Sequence, residues 1–335
     1  MIRVGIPVIQ HATAISVAAP RDILNYAEYH MGGEGQDSAA ALTFQTDFVG
    51  IDDTPVRCGD SVWLTPHQVI GRTESYDVIL VPAFNDDIEK SLEANRAFIP
   101  WLRECHQRGA VLATWCGGAF MLAAAGILDG KTATTHWALA DRLASQFPQV
   151  NVQPDRMVID EGDVITCGGA TSFLNLGIYL IERFHSHDMA VQCAKMFLID
   201  MDRPTQRPYT DLSAQLPHAD KTIRQVQHYI NANLSEELSL KRLAQMANLS
   251  PKTFMRRFKE ATGAPPATYV QHMRIEAAKQ CLERSEATVG EITFQVGYND
   301  IRSFRRLFQR YVGLSPKDYR AKFQEMGKFA RSGNL

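Results

Sequence analysis

The sequence predicts two folds in one chain: an α/β domain built on a mostly parallel sheet flanked by helices, then an all-α domain with two helix-turn-helix units. Three observations carry this. Within residues 1–200, apolar β-branched runs alternate with helical stretches, the pattern of a parallel sheet covered on both faces. Beyond residue 220 no further run reads as a strand. The charge changes sign along the chain: residues 1–220 hold 15 Lys and Arg against 27 Asp and Glu (−12), and residues 221–335 hold 20 against 10 (+10). At 335 residues the chain exceeds one ordinary core, so two domains are expected.

The runs RVGIPVI (3–9), YDVILVP (76–82) and AVLATW (110–115) have the length and composition of buried strands. Helices are expected over Pro20 to Tyr29 and Ile88 to Gln107, a hairpin over VQPDRMVIDEGDVITCGG (152–169), and two helices within 170–199. Residues 201–220 carry Pro204, Pro208 and Pro217 with no periodicity and read as an interdomain linker. The start, MIRVGIPVIQ, reads as a strand without a cleavage pattern, and no apolar run is long enough to cross a bilayer. A cytoplasmic protein without a membrane partner is expected. The six cysteines (Cys58, Cys105, Cys116, Cys167, Cys193, Cys281) contain no CxxC pair. Free thiols are therefore expected, with no metal site, no cofactor and no disulfide framework.

The C-terminal part repeats one device: LSLKRLAQMANLSPKTFMRRFKEATG (238–263) and ATVGEITFQVGYNDIRSFRRLFQRYVG (287–313). Phe254 and Phe258 return as Phe304 and Phe308, 50 residues on. Each copy reads as a short helix, a tight turn and a second helix, over about 239–262 and 288–312. Thr288 with Glu291 makes a capping box. Ser250 and Asp300 are placed to cap the second helices, with Pro251 at a first helical position. Gly263 and Gly313 are placed to stop them. The phenylalanines, four residues apart, must face a core. Lys252, Met255, Arg256 and Lys259 then share another face, matched by Arg302, Arg305, Arg306 and Gln309. A basic stripe on the second helix of such a unit suits the major groove, where arginine reaches guanine and neighbouring cations reach phosphates. The basic charge points the same way, to a polyanion partner. A helix over about 267–283, between the copies, suits a strut of ~27 Å between helices entering successive grooves ~34 Å apart.

Residues 221–323 resemble the AraC-type DNA-binding domain, through GYNDIRSFRRLFQRYVGLSPKDYR and LSPKTFMRRFKEATG. The domain is expected over 221–325. The resemblance implies a transcription regulator, often an activator, with double-stranded DNA as partner and RNA polymerase as a second partner in that case. It puts the base contacts on Lys252, Met255 and Arg256 in the first unit and on Arg302 and Arg306 in the second, and Thr253, Lys259, Ser303 and Arg305 complete the expected DNA-facing set. One departure is Thr293-Phe294, where the family has a small Ala; a shift in local packing is expected there.

The first domain resembles the PfpI-type and class I glutamine amidotransferase-like fold, a flavodoxin-like sheet, through YDVILVP, ATWCGGAFMLAAAGILDGKTATTHW (113–137) and VITCGGATSFLNLGIYLIE (164–182). With an AraC-type tail this is the architecture of GlxA-type regulators. In enzymes of the fold the elbow cysteine, here Cys116, is the nucleophile. A helix N-terminus behind Cys116 is expected to lower its thiol pKa, Gly117 and Gly118 to leave backbone amides open, and His136 lies in the ATTHW motif. Other parts are replaced: Gly117 stands where PfpI-type proteases have His, Ser16 where an acid commonly stands, and Ala83-Phe84 where a glycine pair often lies. A thiol without base or acid is a poor hydrolase. Three readings stay open: a sensor domain binding a small effector, an active cysteine hydrolase or amidase, or a dimerisation domain in which Cys116 only packs. The effector-pocket set is Ser16, Phe84, Trp115, Cys116, Gly117, His136 and Trp137. Trp115 and Trp137 would suit an amine or amino-acid derivative by cation–π attraction, or lie in the core. The architecture implies a homodimer joined through this domain, working as a one-component switch in which the effector favours one of two arrangements.

Overall fold

A computed structural model describes residues 1–31, 44–72, 75–84, 87–213 and 218–323. The chain divides into two units, Met1–Gln206 and Arg207–Leu335. In the first unit β1 (Ile2–Pro7) leads to α1 (Ala14–Met31) and β2 (Phe44–Gly50). A hairpin of β3 (Val56–Cys58) and β4 (Val62–Leu64) precedes β5 (Gln68–Val69) and β6 (Val78–Val81). There follow α2 (Ile88–Ala94), α3 (Phe98–Gln107), β7 (Val111–Trp115), α4 (Ala119–Ala124), β8 (Thr132–Ala133), α5 (Ala140–Gln146) and β9 (Asn151–Val152). The unit closes with β10 (Val158–Asp160), β11 (Val164–Cys167), α6 (Ser172–Phe184) and α7 (His187–Met196).

Seven of these strands form one sheet in the order β10-β11-β7-β6-β1-β2-β5. Every pairing in it is parallel except β10 with β11, the expected hairpin. All four residues of β6 are buried, which accounts for its unbroken apolar run. β2 escapes the sequence reading because Thr46 and Asp47 interrupt its apolar pattern. Both are buried and satisfied: Thr46 Oγ1 donates to Asn25 and accepts from Arg21, and Arg3 pairs with Asp47 at 3.9 Å.

One expectation needs correction. The single helix expected over Ile88 to Gln107 is two, α2 and α3. Asn95 breaks it by donating its side-chain amide to Ser91 O and Gln10 O and accepting from Gln10 N. The division between the units falls within the expected linker, 201–220, and its described residues are packed. Pro204 O accepts from Met157 N at 3.2 Å, Thr205 pairs with Arg156 as an isolated bridge, and Gln206 is buried. From Arg207 on, the chain belongs to the second unit: Tyr209 meets the Phe323 ring at 5.5 Å, and Leu212 N donates to Glu276 at 3.0 Å. The described part, 201–212, is an anchored strap, which lacks periodicity as a linker does. Residues 214–217 of that stretch, and 324–325 at the end of the expected DNA-binding domain, lie outside the described residues.

The second unit is helical: α8 (Lys221–Ala232), α9 (Leu240–Met246), α10 (Pro251–Thr262), α11 (Pro266–Arg284), α12 (Val289–Gln295), α13 (Ile301–Val312) and α14 (Pro316–Phe323). It has two small cores that share one helix. Tyr269, Val270 and Met273 of α11 join Phe254 and Phe258. Ile275, Ala278 and Leu282, further along α11, join Phe304 and Phe308. On the same helix a buried pair, Glu276 and Lys279 at 2.8 Å, holds the strap: Lys279 Nζ also donates to Thr210 O at 2.6 Å. Burial pushes the Glu276 carboxyl up, and Lys279 opposes the shift.

Removing one partner of a buried pair leaves an uncompensated charge. Lys279→Met should therefore lower the stability of the helical unit by about 3–5 kcal/mol, seen as a fall in its urea midpoint, and Glu276→Leu in the same chain should recover part of the loss. An unchanged midpoint in the single variant would show the pair to be idle.

Candidate functional site

The two helix-turn-helix units are built alike from their caps inward. Ser250 Oγ accepts from Thr253 N at 3.2 Å and starts α10; Asp300 accepts from Arg302 N and Ser303 N at 3.3 and 2.8 Å and starts α13. The expected capping box closes both ways, Glu291 N to Thr288 Oγ1 and Thr288 N to Glu291. Gly263 and Gly313 end α10 and α13 at φ +78° and +79°, where only glycine sits without strain. The second helices repeat at 50 residues, but the first helices, capped by Ser239 and Thr288, repeat at 49. The turn of the second unit is one residue longer. Asn248 (φ +51°) and Gly297 (φ +88°) are its matched left-handed positions.

Faces follow from this frame. From Lys252 to Glu260 and from Arg302 to Arg310 the order of buried, half-buried and exposed positions is identical. Phe254, Phe258, Phe304 and Phe308 are enclosed; Lys252, Met255, Arg256 and Lys259 are exposed, as are Arg302, Arg305, Arg306 and Gln309. Thr253 and Ser303 are half-buried at the helix starts. The units differ in charge pairing. Arg256 is held by Glu260 on its own helix at 2.8 Å, whereas Arg306 donates to Ser303 Oγ at 3.3 Å. The Thr293-Phe294 departure is absorbed locally. Thr293 is buried with its hydroxyl donating to Val289 O at 2.6 Å, and Phe294 points to solvent, 56% exposed.

In the first unit β7 runs into Cys116, which takes φ +51°, a left-handed conformation costly for a non-glycine residue. Its amide donates to Gly168 O at 2.8 Å and its carbonyl accepts from Thr135 Oγ1 at 2.7 Å. Cys116 is buried, 8% exposed. Burial pushes its pKa up, outweighing the amides of Ala170 and Gly117 that favour the thiolate. This corrects the expected lowering: only a short turn, Cys116–Gly118, stands behind the thiol before α4, and desolvation wins. The glycines answer to packing as well. A Cβ on Gly117 would lie 2.6 Å from Phe84 O, and one on Gly118 2.8 Å from Pro82 O.

The remaining expected pocket residues separate into two groups. Ser16 and Phe84 are buried, Ser16 Oγ reaching Thr13 O at 2.8 Å and Ala83 O at 3.3 Å. His136 and Trp137 are half-buried with ring centroids 5.2 Å apart. Trp115 joins neither. It is enclosed against Phe173 at 6.1 Å, so the expected aromatic pair for an ammonium group does not form, and Trp115 has no surface to offer. His136 Nδ1 accepts from Ala138 N at 3.1 Å, which in the neutral ring leaves the proton on Nε2. Burial lowers its pKa and keeps it neutral.

One residue here was missed in the sequence. Gln206 is buried against the elbow's second loop: Oε1 accepts from Gly169 N at 3.0 Å and Trp137 N at 3.3 Å, and Nε2 reaches Thr135 O at 2.8 Å and Arg156 O at 3.1 Å. The signal was the pair Gly168-Gly169, because a Cβ on Gly168 would strike Gln206 at 2.5 Å and one on Gly169 would strike His136 at 1.9 Å.

Residues 3–183 match the model of the DJ-1/PfpI family, and residues 243–322 match a helix-turn-helix domain. The transcriptional regulator GbdR of Pseudomonas aeruginosa is 24% identical over 318 residues, 95% of this chain and 83% of that one. The transcriptional regulator GlxA of Rhizobium meliloti is 26% identical over 222 residues, 66% and 68% of the two chains. A solved structure of a ThiJ/PfpI family protein from Pseudomonas syringae, 18% identical, covers 74% of this chain and 90% of that one with a TM-score of 0.50. The parallel sheet with a helical tail expected from the sequence is the fold found, and the chain belongs to the DJ-1/PfpI family, with an AraC-type helix-turn-helix domain at its C-terminal end.

Proposed function

We propose that the protein is a transcription regulator that reads duplex DNA with α10 and α13 under the control of a small molecule received by the first unit. The observation that carries DNA reading is the matched exposure of the two helices, each with a phenylalanine pair inside and a cationic stripe outside. Lys252, Arg302, Arg306 and, once freed from Glu260, Arg256 reach base edges, with Met255 making apolar contact. Lys259 and Arg305 meet phosphates, and Thr253 and Ser303 sit where a helix start meets the backbone. Two chains joined through their first units present four such helices, and RNA polymerase is the further partner of an activator. This cytoplasmic switch needs no metal or cofactor.

Cys116 serves here as part of a wall and not as a nucleophile. Its buried thiol is held protonated, Ser16 stands in place of an acid, and His136 spends Nδ1 on its own turn. Ser16, Phe84, Cys116, Gly117, His136 and Trp137 frame the effector response. Gln206 carries it onward. The next residue, Arg207, donates to Arg310 O in the last turn of α13, so the strap has an anchor at the elbow and another at a recognition helix.

Three measurements test this reading. Arg302→Ala and Arg306→Ala should each weaken operator binding by about 1–3 kcal/mol and relax one position, while Lys259→Ala should lower the salt slope by about 1 and leave preference intact; equal effects on all sequences from all three would contradict base reading. Iodoacetamide should alkylate Cys116 more slowly at neutral pH than it does free cysteine, with the rate rising only above the ordinary thiol range, since a raised pKa leaves less thiolate; faster alkylation would restore the hydrolase reading. Gln206→Leu leaves Gly169 N and Trp137 N unpaired and should cost the first unit about 1–3 kcal/mol. Operator affinity should survive in this variant, and any ligand-dependent change in it should vanish.

A further inference from the structure

Among the described residues, the first unit has an open cleft whose lining does not include the cysteine. The cleft, of about 750 Å³, lies beyond the carboxyl ends of β1 and β2, under the β3–β4 hairpin. That volume suits a small-molecule site, and in open α/β sheets ligands bind outside the carboxyl ends of strands. The hairpin is fixed over it by Gly59 N, which donates to Ala12 O at 2.9 Å. The floor is apolar, with Val8 and Ile51, and Trp63 lines the cleft with 63% of its surface exposed.

The charge of the lining selects the ligand. Asp52 accepts from Thr54 N at 2.8 Å, which holds its carboxyl below the usual carboxylate range and ionised at neutral pH. Asp60 adds a second carboxylate. The guanidinium in the lining, Arg57, donates Nε and Nη2 to Asp60 O at 3.1 and 2.6 Å and stands 3.8 Å from the Asp60 carboxylate. The cleft is therefore net negative, within a stretch of −12, and it offers an exposed indole. Indole, carboxylate and apolar floor together match a cationic head on a short apolar body.

We propose that this cleft receives the ligand of the switch, a small organic cation with an alkylammonium or guanidinium head, held by Trp63 and Asp52. This rests on the regulator reading above and moves its ligand from the thiol to the far side of a shared wall. That wall is short. Ala12 bridges Phe84, Ser16 ties Thr13 O to Ala83 O, and Phe84 O packs against Gly117. A ligand against Ala12 and Thr13 thus presses on the backbone that meets the cysteine elbow, whose far loop Gln206 holds.

Calorimetry of the full chain with choline, with arginine, and with dimethylbutanol, the uncharged carbon isostere of choline, tests the proposal. One of the two cations should bind, and dimethylbutanol should not. Trp63→Ala and Asp52→Asn should each weaken that binding by about tenfold or more, with Trp63→Phe recovering part of the loss. Both side chains are exposed, and an unchanged urea midpoint of the first unit shows that the variants are folded. No binding of either cation, equal binding of the isostere, or binding indifferent to both variants would overturn the proposal. Operator binding by the wild-type chain is scored separately: its failure sinks the regulator reading, and the calorimetric result stands on its own.

Discussion

The second unit depends on how one helix divides its buried face. α11, 19 residues long and so about 28 Å, gives Tyr269, Val270 and Met273 to one core and Ile275, Ala278 and Leu282 to the other. Each core is small, and each packs on the same rod. Because the phenylalanine pairs of α10 and α13 pack on that rod, their opposite faces are set outward together. The cationic stripes are consequences of that packing as much as of their own sequences.

The first unit applies the same economy to its elbow. Cys116 holds a left-handed backbone that costs energy, and the surroundings over-determine it: Gly168 O and Thr135 Oγ1 grip its amide and carbonyl, and Gly117 and Gly118 let residues 82–84 close in. The elbow geometry is held while burial of the thiol favours its neutral form. Gln206 completes the arrangement. Its buried amide ties together the loops at 134–137, 154–156 and 168–169, and its chain neighbour belongs to the unit that carries α13.

The capping residues Ser250, Thr288 and Asp300 and the stop glycines Gly263 and Gly313 were legible because each acts within four residues of itself. The strands β1, β6, β7 and β11 were legible because both their faces are buried. β2 was not, since Thr46 and Asp47 find partners distant in sequence. The break at Asn95 depends on Gln10, 85 residues away, and the strap over 201–212 mimics a linker because its partners, Met157 and Glu276, lie far along the chain. At the candidate site, the exposed faces of α10 and α13 could be read from periodicity. The fate of Trp115 could not, because burial against Phe173 has no local signature, and neither could the sign of the Cys116 shift, which is a contest between burial and two amides.

The central claim is that two recognition helices, spaced by α11, enter adjacent grooves of one duplex. Selection from a pool of random duplexes measures it most directly. The account predicts that the retained sequences share two specified blocks about 10 base pairs apart, centre to centre, with guanine enriched in the block read by α13. A single block, or retained sequences no different from the starting pool at low salt, would contradict it.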